Sequence, residues 1–488
     1  MEVLENNADF DIVIAGGGLA GLACGYKLLM QGKKVCILEA ATVGSGETAR
    51  SSAMVTFAHD CVYARLIKKH GLKTAQEFLR LQKLGAEKLK QTIEDNKIDC
   101  EYMQADFTLY AATKKGAKRI RQEQQAYEEL KEPYITRAVY ELPLNDIEQL
   151  TILRQACLNP AKFIVGFAKV FKSKDGVILE NTQVNTSPQK YCIEVNGQKI
   201  NFKHFIITSH YPYVNILPGF YFLKLYQNRN HNIVFKNART IKNMYESADD
   251  EWYEFRPVKN GILCGGGAGR TGTGGYKSKF KEMEQFLKDN LGVDEGQILS
   301  RTSAQDVMTF DLMPYVGRYS TMWDNVYVVT GFNKWGFTNA FAASEIIADL
   351  IEGRIKDSIF SPQRASLLKA PVKAAKNLGD IVTGFGELLL NTESKKLKRI
   401  GSGQGAIVKV KNAKGLAGLF TKSARVGVYR DGKNKLHCVS AVCPHMGCAL
   451  SWNKDELSWD CRCHGSRFDT DGKLLNNPAT ENLEKKNI

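Results

Sequence analysis

The apolar and polar positions of the chain change period several times along its length. Residues 11–15 read as a strand, the residues that follow through Met30 as an amphipathic helix, and residues 33–38 as a second strand ending at Glu39. Over residues 72–95, Leu72, Ala75, Phe78, Leu79, Leu89 and Ile93 recur at helical spacing. Residues 178–210 alternate apolar and polar side chains, which predicts short antiparallel strands with turns at Ser187-Pro188 and Asn196-Gly197. A strand-rich stretch covers 219–299, and a strand at 325–329 precedes a helix near Gly336. After Gly353 the pattern shifts. Residues 361–399 mix helix formers, breakers and basic residues, as a linker carrying one amphipathic helix whose apolar stripe is a docking face. From Ile400 short strands are separated by glycines, with an Asp431-Gly432 turn, as in a small β-sandwich.

Between the first strand and helix stands Gly16-x-Gly18-x-x-Gly21, with an acid, Glu39, about twenty residues on. Alone the motif is weak; between a strand and a helix it predicts a dinucleotide site. The glycines allow a tight turn and close approach to a pyrophosphate, which rests against the helix N-terminus. Glu39 would accept hydrogen bonds from a ribose and repel a 2′-phosphate, so the cofactor is NAD or FAD rather than NADP. A second formal match, Gly267-x-Gly269-x-x-Gly272, lacks an apolar helix start and a closing acid, and reads as a loop.

The stretch GSGETARSSAMVTFAHD, residues 44–60, resembles the second flavin segment of the D-amino-acid oxidase and glycine oxidase superfamily. Residues 305–353 resemble its closing pattern, with Asp311, Pro314, Gly317, Gly331, Gly336 and a helix capped by Thr338. The resemblance implies FAD, held by Gly16, Gly18, Gly21, Glu39, Arg50, Ser51, Ser52, Gly331, Gly336 and Thr338. The helix N-terminus would then face the pyrimidine edge of the flavin, where reduction builds negative charge.

Near the end stands CPHMGCALSWNKDELSWDCRCHGSRF, with Cys443-x-His445, fifteen intervening residues, and Cys461-x-x-His464. A zinc finger pairs two cysteines in one half and two histidines in the other; here each half offers one of each. That division suits a [2Fe–2S] cluster with two Cys on one iron and two His on the other, a zinc site or a structural cysteine cluster being the alternative. The segment resembles the Rieske proteins of respiratory cytochrome complexes. The resemblance makes Cys443, His445, Cys461 and His464 the ligands and pairs Cys448 with Cys463 in a disulfide. In that family a Ser and a Tyr after the last His donate hydrogen bonds to cluster sulfurs. Ser466 fills the first position, but Phe468 occupies the second without a hydroxyl, which implies a potential below the high end of the respiratory group.

The 488 residues are 43% hydrophobic and 24% charged, an ordinary globular composition for two to four domains. No run of 18 apolar residues appears, and residues 1–10 lack the charged and apolar regions of a signal peptide, so the expected location is cytoplasmic. The net charge of +15 gathers partly in KKGAKRIR (114–121) and SKKLKR (394–399). Neither carries a nucleic-acid motif or interleaved aromatics, so both read as solvated surface and no nucleic-acid partner is expected.

The expected architecture is an α/β Rossmann-like FAD-binding domain with an α+β substrate domain, plus a C-terminal all-β Rieske domain. The FAD oxidoreductase would span 1–355, with FAD-binding pieces at about 1–58, 150–218 and 300–352 and the substrate domain at 59–149 and 219–299. A linker would cover 356–399 and the Rieske domain 400–488. The resemblance, nearest the amine-oxidising branch, implies a dehydrogenase that oxidises an amine or amino acid at FAD. Electrons would pass singly through the cluster to an external acceptor, a protein or a quinone. The alternative is an NADH-driven electron-transfer flavoprotein with a built-in ferredoxin. His59 is a candidate catalytic residue and Arg270 a candidate for binding a substrate carboxylate; no residue stands out as the catalytic base.

Overall fold

The computed structural model describes residues 8–136, 141–143, 147–215, 217–236, 240–273, 278–364, 371–389, 397–411 and 423–486. The first heptapeptide, and Ser394, Lys395 and Lys396 of the second basic run, lie outside the described residues. The opening apolar run becomes the strand Ala8–Ala15, in which Ile12, Val13 and Ile14 are fully buried. It lies inside a seven-stranded sheet, in the order Tyr315–Ser320, Trp323–Thr330, Gln198–Ile207, Ala8–Ala15, Val35–Leu38, Val177–Leu179, with Cys192–Val195 paired on Gln198–Ile207. The helices Leu19–Leu29 and Gly336–Ile351 contribute to its main hydrophobic core.

The alternation over 178–210 is only partly antiparallel in the structure. Cys192–Val195 and Gln198–Ile207 form the expected hairpin through Asn196 and Gly197, both at positive φ. Val177–Leu179, however, runs parallel to Val35–Leu38, and Gln198–Ile207 runs parallel to Ala8–Ala15. The second half of Gln198–Ile207 is the continuous apolar run Phe205, Ile206, Ile207, fully buried, as a central parallel strand requires.

An eight-stranded sheet follows the order Ile298–Thr309, Leu225–Phe235, Gly261–Arg270, Glu254–Val258, Met244–Ser247, Met103–Ala111, Glu148–Cys157, Met54–Val55. Opposite register partners share a face. Phe107, Leu109, Leu150, Ile152 and Met244 join the same core as Phe57, Phe337 and Ala340. The other face, with Tyr245, Phe255 and Cys264, is covered by Phe280, Met283 and Leu287 of the helix Lys279–Leu291. The helical spacing at 72–95 becomes the helix Leu72–Asp95. The first basic run lies in Lys114–Leu130, with Lys115 and Arg119 paired to Asp250 and Arg121 to Glu148.

The chain divides into two compact units: Met1–His210 with Asn230–Ala268 and Phe280–Lys369, and Tyr211–Arg229 with Gly269–Lys279 and Ala370–Ile488. In the second unit, a three-stranded antiparallel sheet (Gly405–Lys411, Ser423–Arg430, Leu436–Ser440) accompanies a four-stranded one (Leu450–Asn453, Ser458–Cys461, Arg467–Phe468, Leu474–Asn476). One core holds the fully buried Trp459 and Phe468 together with Cys443, Cys448, Cys461 and Cys463. The helix within the expected linker, Pro371–Leu389, packs there too: Asn377, Ile381 and Gly384 are buried at helical spacing, and Ile381 belongs to that core. Among the described residues no helix is long and apolar enough to cross a membrane.

Candidate active site and metal centre

In the first unit, the turn after Ala8–Ala15 has no room for side chains. A Cβ on Gly21 would sit 1.9 Å from the Gly16 carbonyl oxygen, and one on Gly16, where φ is +115°, 2.7 Å from that of Thr208. At Gly18 the space is open: a Cβ would meet only the Thr48 hydroxyl, at 3.8 Å. Gly18 itself offers no cap, and the first helical N–H, that of Leu19, donates to the Thr48 hydroxyl at 3.3 Å. The turn is thus closed on its protein side and open before a helix N-terminus, as a pyrophosphate needs. Glu39 Oε2 accepts from the Gly17 N–H at 2.7 Å and Oε1 from that of Ala41 at 2.9 Å, which fixes the carboxylate at the turn with lone pairs to spare for ribose hydroxyls. Arg50 ends the short 3₁₀ turn Thr48–Arg50; its carbonyl accepts from Asn232 and the Ser51 hydroxyl donates to the Thr48 carbonyl. Ser52 hydrogen-bonds Glu254.

At the other end, Gly331 has φ +74° and Gly336 opens the helix Gly336–Ile351. Thr338 does not cap it. The cap position is Trp335, which offers no side-chain cap, and the Thr338 hydroxyl, one turn inside, donates to Gln82 Oε1 at 2.6 Å. His59 Nε2 lies 3.1 Å from the same oxygen, and Gln82 Nε2 donates to Asn339 Oδ1 at 2.7 Å. Because the amide oxygen accepts, Nε2 carries the proton of His59. Its Nδ1 is buried with no hydrogen-bond partner, and the ring stacks on Trp335 with centroids 4.1 Å apart. Burial pushes the His59 pKa down to about 3. His59 is thus a neutral ring whose Nε2–H is committed to Gln82 and whose Nδ1 is a buried nitrogen with its lone pair unused.

In the second unit, two similar turns converge. The Gly447 N–H donates to the Cys443 carbonyl and the Gly465 N–H to the Cys461 carbonyl, both at 2.9 Å, and both glycines have positive φ, +81° and +86°. Cys448 and Cys463 form a disulfide between the turns. Four side chains remain: the buried Cys443 and Cys461, whose thiols hydrogen-bond each other, and His445 and His464, with ring centroids 4.9 Å apart at 90°. His464 is 1% exposed, and neither of its ring nitrogens makes a hydrogen bond of good geometry. Burial pushes its pKa down to about 3 and that of His445 to about 4, leaving two neutral imidazoles as ligation requires. The Cys443 thiol and the backbone N–H groups of Cys463 and His464 favour an anionic sulfur on Cys461, whereas the bond to Cys461 and burial hold the Cys443 thiol protonated against the weaker pull of the His445 N–H and the Ser466 hydroxyl. A donor set of two sulfurs and two imidazoles, with amide and hydroxyl donors already aimed at the sulfurs, fits a two-iron cluster.

Residues 11–350 match the family model "FAD dependent oxidoreductase" (DAO). The chain belongs to the DAO family. Residues 405–486 of this DAO-family oxidoreductase match the Rieske [2Fe-2S] domain, so FAD and a Rieske cluster are its cofactors. It is 29% identical, over 99% of its length and 94% of the relative's, to a Rieske 2Fe-2S iron-sulfur protein of Bacillus subtilis (strain 168), YhfW. Over 56 residues, 12% of the chain and 23% of the relative, it is 41% identical to a cytochrome b6-f complex iron-sulfur subunit of Cyanophora paradoxa. Its fold is similar to the crystal structure of glycine oxidase from Geobacillus kaustophilus, with a TM-score of 0.62 at 16% identity over 73% of this chain and 99% of that one.

Several site residues of the DAO-family protein escape sequence reading. Asn215, 3% exposed, accepts from His445 Nε2 at 2.7 Å and donates its own amide to the Tyr213 carbonyl at 3.2 Å. Gln227 Nε2 donates to the carbonyls of His464 and Asn477. Arg270, expected near a substrate carboxylate, is spent elsewhere: its guanidinium donates to the carbonyls of Arg462 and Cys463 and to Asn377 and Asp380 of the helix Pro371–Leu389. It therefore ties the Cys461–Gly465 turn to that helix. Gly272 of the spurious glycine motif has φ +76°, and a Cβ there would lie 2.5 Å from the Arg462 amide nitrogen. That motif is a backbone crossing.

Proposed function

We propose that the protein is a dehydrogenase that oxidises a C–N bond of an amine or amino acid at FAD and passes the electrons singly through the Rieske cluster to an external acceptor. The observation that carries this reading is the presence on one chain of a dinucleotide turn with its ribose-side acid and a two-Cys, two-His donor set. FAD supplies two-electron hydride chemistry when bound, and the cluster supplies one-electron transfer. Cys443, His445, Cys461 and His464 would hold the cluster. Gly16, Gly18, Gly21 and Glu39 would hold the adenosine diphosphate half of FAD, with Arg50, Ser51, Ser52, Gly331, Gly336 and Thr338 along the rest. Covalent linkage keeps the two centres at high effective concentration, which favours electron flow to the cluster over reaction with dioxygen.

The chain's own groups do three things in this scheme. The glycine turn and helix N-terminus neutralise the pyrophosphate. The buried Gln82, Thr338 and Asn339 network fixes His59 as a neutral acceptor beside Trp335. The tied Cys448 and Cys463 hold the ligand turns together. Anaerobic mixing of the holoenzyme with a panel of primary amines, secondary amines and amino acids, following the flavin and cluster absorbance separately, tests the reading. Flavin bleaching followed by cluster reduction is expected. Bleaching by NADH or a hydroxy acid and by no amine or amino acid would overturn it.

A further inference from the structure

On the eight-stranded sheet of the first unit, Glu246 and Glu254 stand directly opposite each other in antiparallel register, so both carboxylates project from one face. It is the face whose other residues, Leu109 and Met244, enter the core shared with Phe57 and Phe337. Glu246 is fully buried and Glu254 5% exposed. Like charges facing each other across strands destabilise a sheet unless something between them compensates. Among the described residues neither carboxylate forms an ion pair, and Glu246 Oε2 is buried with no hydrogen-bond partner. Its Oε1 accepts from Trp252 Nε1 at 2.9 Å. The neighbouring cation, Lys334, is turned onto the Trp252 ring, its ammonium 3.9 Å from the centroid. Arg256, on the same face, donates to its neighbour's carbonyl at Pro257. On the next strand Gly265 makes room: a Cβ there would meet Glu254 Oε1 at 2.4 Å.

The position of the pair is informative. Glu254 meets Ser52 of the loop assigned to the flavin, Glu246 feels Asp60 next to His59, and Lys334 and Trp335 lead into the helix Gly336–Ile351. Both cofactor-side segments thus border the two acids. We propose that Glu246 and Glu254 form the substrate's cation site: the substrate is an amine that presents its ammonium between them, with no carboxylate beside it. This rests on the reading of the first unit as an amine- or amino-acid-oxidising site and narrows it to amines. The chemistry balances simply. R–CH₂–NH₃⁺ gives one proton to one carboxylate and becomes R–CH₂–NH₂; loss of a hydride from its carbon to FAD gives the iminium R–CH=NH₂⁺, which the second carboxylate still neutralises. Burial raises Glu254 to about 7, which suits the group that takes up the proton near neutrality, and raises Glu246 well above the usual carboxylate range, so that Glu246 keeps its proton in the empty site and ionises when an ammonium lies beside it.

The test uses the full-length holoenzyme and two probes that share a tert-butyl group and have no hydrogen on the carbon bearing the charged group: tert-butylamine, which is cationic and not oxidisable, and pivalate, an anion of similar apolar surface. Calorimetry is expected to show binding of tert-butylamine and not of pivalate, with Glu246→Gln and Glu254→Gln each weakening it roughly tenfold or more. Binding of pivalate in preference to the amine, or amine binding unchanged in both variants, would overturn the proposal without needing either variant to turn over. Flavin bleaching by butylamine but not by glycine or alanine supports it as well. If amino acids bleach the flavin and tert-butylamine does not bind, the cation site falls and the oxidase reading stands; if no amine or amino acid bleaches it, both fall.

Discussion

Asn215 offers the sharpest perturbation of the metal centre. Its amide is locked: Nδ2 donates to the Tyr213 carbonyl, so Oδ1 faces the Nε2–H of His445 at 2.7 Å, in a setting where Asn215 is nearly sealed from solvent. With Nε2 protonated, Nδ1 is the nitrogen whose lone pair would be free to hold an iron. An acceptor on Nε2–H makes the imidazole a stronger donor, and the bond is strongest when the iron is most positive, so it favours the oxidised cluster. Asn215→Leu keeps the volume and removes the acceptor. A hydrogen bond involving a charged group contributes about 1.5–3 kcal/mol, and a differential part of about 1 kcal/mol between oxidation states converts to about 40 mV for one electron. The variant should therefore titrate about 40 mV above the parent, and Asn215→Asp, a charged acceptor, below it. Potentiometric titration followed by circular dichroism, with the paramagnetic spectrum of the reduced form confirming a loaded cluster, measures both. A Leu variant that keeps its cluster yet titrates at or below the parent potential would refute the reasoning.

Four further outcomes are expected. Phe468→Tyr, in the buried core shared with Cys443 and Cys461, should raise the cluster potential if its hydroxyl donates to a sulfur; an equal or lower midpoint sinks that idea. Gly21→Ala forces a Cβ to within 1.9 Å of the Gly16 carbonyl and should yield protein without FAD, read as flavin absorbance per chain, with the iron content kept. Arg270→Met frees the second ligand turn from Asn377 and Asp380 and should lower iron and labile sulfide per chain while leaving FAD in place. Asp471 and Asp431 hold the His437 pKa above its ordinary 6.5, so the folded chain binds that proton more tightly than the unfolded one. The stabilisation is whole below the ordinary value and fades as pH rises through the raised one; the melting-temperature gap between parent and His437→Asn should shrink along that course.

What could be read in advance, and what could not, divides by sequence distance. The first glycine turn and the paired Cys and His turns are local, and their residue types have few other uses, so short spacing carried both cofactors. The groups that tune those sites come from afar: Asn215 stands 230 residues before His445, and Gln227 stands 237 before His464. An isolated Asn or Gln carries no chemical signature, and only the tertiary fold selects its partner. Glu246 and Glu254 were hidden for another reason. Their opposition depends on strand register, and a slip of one residue would turn either side chain to the other face. The two glycine motifs make the same point from opposite sides. Gly16, Gly18 and Gly21 and Gly267, Gly269 and Gly272 share one spacing, and each includes a glycine where no Cβ fits. In the first the open space at Gly18 faces a helix N-terminus, where a pyrophosphate belongs. In the second Gly272 is pressed against the backbone at Arg462, so the chain itself occupies the approach. Glycine spacing thus encodes close approach, and the following helix and acid decide whether a ligand or the chain's own backbone makes it.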